Sequence, residues 1–142
     1  MPRTKLKLPH HFQFSTEMAI RVGDVNYAGH LSNDRVLALI HEARVRFLKQ
    51  LGFTELDVGG VGSIMTEAVI LYKSEAFQGD KVQIHVTPAD FHKYGCDFYY
   101  KLVHVGSGRE IARAKTGFLF YDYGKRKMAP VPLVFVERCS NN

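Results

Sequence analysis

Apolar and polar residues change their spacing several times along the chain, and each change marks an element. Over residues 12–20, Phe12, Phe14, Met18 and Ile20 alternate with polar neighbours, the two-residue period of a half-buried strand. Residues 23–33 carry Gly, Asp and Asn with little periodicity and read as a structured loop. Val36, Leu37, Ile40, Phe47, Leu48 and Leu51 then recur at helical spacing, with Ala43 and Arg44 between them. Ser32 or Asn33 can cap this helix, Asp34 suits the positive end of its dipole, and Gly52 fits the position just past its end. It is the only long helix with strong periodicity. The pattern then predicts strands over 63–73, 81–88, 94–105 and 110–122, with turns at 76–80, 106–108 and 123–125. Pro130 and Pro132 interrupt any continuation, and 133–138 reads as a short terminal helix.

The order is therefore a strand, a long helix and four strands joined by tight turns. Short connections suit antiparallel pairing, whereas a parallel sheet needs crossover helices that this chain lacks. One apolar helix against one curled antiparallel sheet is an α+β solution. The helix is too apolar for a surface, and a single sheet has a second face to cover. A homodimer is the expectation from this inventory alone.

Length and composition narrow the picture further. A chain of 142 residues fits one domain over 1–142, with the first eleven residues and the last few peripheral. Apolar residues make up 46% and charged ones 23%, the balance of a soluble globular protein. No segment is long and apolar enough to cross a bilayer, and the first eleven residues have no apolar run or cleavage site of a secretory leader, so a cytoplasmic protein is expected. Cys96 and Cys139 have no metal-ligand spacing and read as two thiols. The net charge of +5 is spread along the chain, and its densest run, Lys125-Arg126-Lys127, falls in a turn. That argues against nucleic acid and is compatible with a phosphate-rich ligand.

The segment Arg21-Val22-Gly23-Asp24-Val25-Asn26-Tyr27-Ala28-Gly29-His30-Leu31-Ser32-Asn33 resembles the signature loop of the 4-hydroxybenzoyl-CoA thioesterase-like family. His41-Glu42-Ala43-Arg44 is similar to the Glu-x-Ala-Arg stretch in that family's central helix. The run Tyr72-Lys73-Ser74-Glu75-Ala76-Phe77-Gln78-Gly79-Asp80 resembles its Tyr-x-x-Pro-Ala-x-x-Gly-Asp strand and turn, and Ala112 to Thr116 fits its last long strand. The resemblance covers roughly residues 12–125. It implies a hotdog fold, an antiparallel sheet wrapped around one helix, assembled as homodimers or homotetramers with sites at the dimer interface. It also implies a hydrolase of acyl-CoA or acyl-carrier-protein thioesters that uses neither metal nor redox cofactor. Nucleic acid and membrane are not implied partners.

One position departs from the pattern. Asn26 stands where many members carry a catalytic aspartate, and a neutral amide neither attacks a carbonyl nor activates water well. Asp24 matches the motif's first aspartate, which is not the usual nucleophile. The family's oxyanion-binding amide aligns with Asn33, at a helix start whose N–H groups lack internal partners; Asn33 either caps the helix or also serves the oxyanion. His30 is the candidate general base, because histidine exchanges a proton near neutral pH. Asn26 either orients water or carbonyl, or simply satisfies the loop backbone. Asp24, Asp34, Glu42 and Glu67 are the carboxylates that can complete the site. Glu42 also has Arg44 and Arg46 as pairing partners, and Glu67 breaks an apolar strand either at an edge or as a site acid.

Tyr94, Phe98, Tyr99 and Tyr100 read as core or interface, and His10-His11 as a flexible pair without a suitably spaced carboxylate. The leading functional expectation is an acyl-CoA thioesterase. The alternative is a catalytically weak hotdog protein that binds acyl thioesters or acts as an assembly partner.

Overall fold

The computed structural model describes residues 3–140, so the four terminal residues of the expected 1–142 domain lie outside the described residues. Strand β1 (Phe14–Ala19) is followed by a 3-10 turn (Val22–Asp24) and helix α1 (Asn33–Gln50). Strands β2 (Gly62–Tyr72), β3 (Lys81–His92), β4 (Gly95–His104) and β5 (Glu110–Asp122) come next, then a two-residue strand β6 (Lys127–Met128) and helix α2 (Leu133–Ser140). The strands form one antiparallel sheet in the order β1-β3-β4-β5-β2, with β6 beside β5. Wrapped around α1, this sheet is the expected hotdog arrangement.

Alternation along the strands decides which side meets the helix. Val82, Ile84 and Val86 of β3, Phe98, Tyr100 and Leu102 of β4, and Ala112, Ala114, Phe118 and Phe120 of β5 are all buried. They share the core with Val36, Leu39, Ile40, Ala43, Phe47 and Leu48 of α1. Each large side chain so buried stabilises the fold by about 1.5–3 kcal/mol relative to exposure. Phe135 of α2 closes one end of this core, its ring 5.6 Å from that of Phe120 and 6.0 Å from that of Phe53. Arg44 of α1 is buried beside this core despite its charge. Its Nη1 donates to the Tyr100 hydroxyl at 3.0 Å, that hydroxyl lies 2.7 Å from Thr116 Oγ1, and the guanidinium stacks 4.6 Å above the Phe118 ring. Helix α1 stops at Gly52, whose φ of +88° lets its N–H reach the Lys49 carbonyl while Phe53 N–H reaches that of Leu48.

Several local expectations are corrected. Strand β3 runs on through Pro88 to His92. Just before this strand the Asp80 carbonyl accepts Ile20 N–H, and the Lys81 carbonyl faces β4 in accepting Val105 N–H, so the even-numbered residues of β3 turn their backbone groups toward β1. The β1 partner ladder ends at Phe14–Val86, so the missing Pro88 N–H falls where no ladder bond is required. Strand β6 is too short to carry a period. Ser32, not Asn33, takes the capping position of α1, and Asn33 is its first residue. Residues 6–12 are tied to the outer face of the sheet, by an Arg113 Nη1 bond to the Leu6 carbonyl at 2.9 Å and by Phe12 against the His85 ring at 5.7 Å. Among the described residues no helix is long and apolar enough to cross a membrane.

Candidate active site

The loop between β1 and α1 is organised by the carboxylate of Asp24, which is fully buried. Asp24 Oδ2 accepts the backbone N–H of Arg21 at 2.9 Å and its guanidinium at 3.4 Å, while Oδ1 accepts from Arg35 of α1 at 3.4 Å. Burial opposes ionisation, but the Arg21 N–H, both Arg21 charge contacts and Arg35 together hold this carboxyl below the usual carboxylate range. The backbone carbonyl of Asp24 also accepts Ser32 N–H at 2.9 Å, which closes the loop onto the start of α1.

Within that frame, residues 26–30 make a tight turn. Asn26 N–H donates to the His30 carbonyl at 2.8 Å, and Gly29, at φ +83°, returns its N–H to the Asn26 carbonyl. The side-chain oxygen of Asn26 accepts Ala28 N–H at 3.0 Å and His30 N–H at 3.3 Å. Asn26 thus satisfies the loop backbone and also lines a cavity. His30 next forms a bridge with Phe77, and Leu31 N–H donates to the Ala76 carbonyl at 2.7 Å, so the segment after β2 becomes the opposite wall.

At the helix start, Ser32 makes no side-chain cap; its hydroxyl bonds to the Asp34 carboxylate instead. The Asn33 N–H therefore receives no side-chain acceptor from the cap and has none within the helix, whereas Arg35 N–H donates to the Ser32 carbonyl at 3.0 Å. The Tyr72 hydroxyl donates to the Asn33 carbonyl at 2.9 Å and anchors this helix end to β2.

These pieces meet around a cavity of about 290 Å³ lined by Asn26, His30, Asn33, Tyr72, Glu75 and Ile111, among others. His30 Nδ1 lies 3.2 Å from Glu75 Oε1, and the His30 ring stands edge-on to Phe77 at 4.9 Å. A histidine, the first residue of α1 and a carboxylate thus border one hollow, residue types that can deprotonate water and bind the oxygen of a carbonyl under attack.

The structure brings His30, Asn26 and Asn33 together and leaves the other carboxylates elsewhere. Asp24 is enclosed by its arginines. Asp34 bonds Ser32 and borders a separate groove of about 400 Å³. That groove also carries His41, Glu55 and Arg44, with His41 Nε2 2.7 Å from Glu55 Oε1. Glu42 pairs with Arg46 at 3.5 Å across one helical turn. Glu67 pairs with Lys115 at 3.3 Å. A register shift between Met65 and Glu67 leaves Ala68, Ile70 and Tyr72 on the helix side, so Glu67 points from the outer face. Sequence reasoning missed Glu75. Its only signal was that it occupies the proline position of the family's strand-and-turn motif. Among the described residues no cluster of three or more His, Cys, Asp or Glu side chains is arranged to hold a metal ion.

The chain matches the family model described as the thioesterase-like superfamily over residues 20–139. No curated protein matches it by sequence. Among solved structures, a 1,4-dihydroxy-2-naphthoyl-CoA thioesterase from Synechocystis is similar at 22% identity and a TM-score of 0.82, over 90% of this chain and 96% of that one. A gentisyl-coenzyme A thioesterase is similar at 21% identity and TM-score 0.76, over 90% and 100%. A thioesterase-superfamily protein from Jannaschia is similar at 16% identity and TM-score 0.81, over 93% and 86%. At these identities the structural likeness concerns the fold.

The buried Asp24 yields a test of how the loop is held. Because its folded pKa is lowered, its contribution is fully present above the ordinary aspartate value of ~3.9 and is lost as pH falls through the lower folded value. Asp24→Asn should cost about 1–3 kcal/mol near neutral pH. Thermal unfolding followed by circular dichroism should show the gap to wild type narrowing steadily below about pH 4. A constant gap across that range would show that the carboxylate charge does not organise the loop.

Proposed function

Because the chain belongs to the thioesterase-like superfamily, we propose that it hydrolyses an acyl-CoA thioester to the free acid and coenzyme A. The observation that carries this reading is the meeting of His30 and the uncapped start of α1 on one cavity. Water adds its oxygen to the thioester carbonyl carbon while His30 takes a water proton. The carbonyl oxygen gathers negative charge and is held by the Asn33 N–H, at the positive end of the helix dipole. The tetrahedral centre collapses, the carbon–sulfur bond breaks, and the departing thiolate takes the proton from His30. Asn26 cannot accept that proton; with its oxygen engaged by the loop, its NH₂ is the group left to orient substrate or water. The CoA thioesterases among the similar structures support a CoA-linked substrate for this chain.

The same reading carries an assembly. Strand β2 is an edge strand of eleven residues, with Ile64 and Met65 37% and 41% exposed. A long apolar edge of this kind invites pairing. A second copy joining edge to edge gives a continuous sheet, and β2 ends at Tyr72 on the cavity wall, so the seam runs beside the site. Sedimentation at micromolar concentration should give a dimer or tetramer; a stable monomer would exclude a site shared between subunits.

Hydrolysis of a panel of short, medium, long and aryl acyl-CoAs tests the activity itself. His30→Ala should lose roughly 10²-fold or more, the scale of general-base catalysis. Asn26→Asp should keep or raise the rate, since the carboxylate can accept the same backbone bonds and adds a base. Folded protein that hydrolyses none of the panel would leave a thioester-binding protein, and an active enzyme indifferent to His30→Ala would exclude His30 as the base.

A further inference from the structure

Of the residues lining the cavity, one carries a carboxylate, and it is Glu75. Its backbone is held on both sides. Lys73 and Ser74 donate their N–H groups to the Ile111 carbonyl of β5 at 2.8 and 3.1 Å, and Ser74 Oγ bonds the Glu110 carbonyl at 2.7 Å. The Arg109 guanidinium reaches Ser74 Oγ at 3.0 Å and the Glu75 carbonyl itself. One residue later the Ala76 carbonyl accepts Leu31 N–H from the signature loop. Glu75 is therefore the centre of a braced three-residue wall. The imidazole it faces is restrained too, by the bridge to Phe77 and by that residue's ring.

We propose that Glu75 is the positioning residue for His30, holding the proton of the neutral ring on Nδ1 and so presenting the Nε2 lone pair to the attacking water. A neutral imidazole has one donor and one acceptor nitrogen, and the partner of the first decides which nitrogen is the base. A carboxylate 3.2 Å from Nδ1 selects the Nδ1–H tautomer. The contact is a close approach more than an aligned bond, and such pairs tighten when substrate closes a site. The arrangement also supplies a carboxylate to a cavity in which Asn26 has none, from the facing wall instead of the loop. Side-chain exposure of 64% at Glu75 means that the pair adds little to stability, which makes it a clean target for substitution.

The kinetic half of this inference rests on the thioesterase reading; the structural half does not. Nitrogen NMR of the histidine-labelled full chain, with the His30 signals identified by their loss in His30→Ala, should show the Nδ1–H tautomer in the neutral wild-type ring. Glu75→Ala should move the population toward Nε2–H while the melting temperature stays within roughly two degrees. In the thioester assay Glu75→Ala should lower kcat roughly tenfold or more with little change in KM, a fraction of what a positioned base supplies. Glu75→Asp should recover part of it. An unchanged tautomer in Glu75→Ala overturns the proposal, and so does an active wild type whose kcat survives that substitution. A tautomer change in a chain that hydrolyses no thioester upholds the placement of the proton and fails the proposed function instead.

Discussion

The carboxylate of Asp24 sets where the signature loop ends and where α1 begins. It takes a backbone N–H and a guanidinium from Arg21, a guanidinium from Arg35 on the first turn of the helix, and its own carbonyl holds Ser32. These contacts span the whole loop. They hold residues 26–30 next to the helix start, where His30 and Asn33 line the same cavity. A buried carboxylate without such partners is costly, so the loop has one well-satisfied closure rather than several. The sheet supplies the other half of the constraint. It wraps α1 and, through Tyr72 and the segment after it, brings a wall up to the loop.

Much of the fold is legible in the residues themselves. The period of Val36, Ile40, Phe47 and Leu48 marks the one long helix, and the alternation of Val82, Ile84 and Val86 marks a strand with one buried face. Strand length past Pro88 was not legible, because it depends on where the neighbouring strand stops, and that is a property of pairing. The same holds for Glu67. Its side follows from a register shift opposite Gly117 that the sequence does not advertise. Ser32 and Asn33 both suit a cap by residue type, yet the cap position falls on Ser32 and its hydroxyl turns to Asp34.

The site was legible in its loop and not in its far wall. His30, Asn26 and Asn33 lie within eight residues of one another, and local spacing suffices to suggest that they meet. Glu75 lies some forty-five residues further on. It reaches His30 only because the 76–77 segment pairs with 30–31, a long-range contact that no local pattern encodes. Asn26 is now explained in part. Its oxygen serves the turn, which any side chain with a carbonyl or carboxylate oxygen at that position can do, so the loop geometry tolerates the amide.

In the proposed reaction a thioester carbonyl lies between His30 and the first amide of α1. A crystal structure of the full chain with a non-hydrolysable acyl-CoA analogue tests it most directly. The carbonyl oxygen of the analogue is expected at about 2.7–3.1 Å from the Asn33 nitrogen, with the His30 ring beside its carbonyl carbon. An analogue whose carbonyl instead sits in the groove beside His41 and Glu55, away from the start of α1, would contradict it.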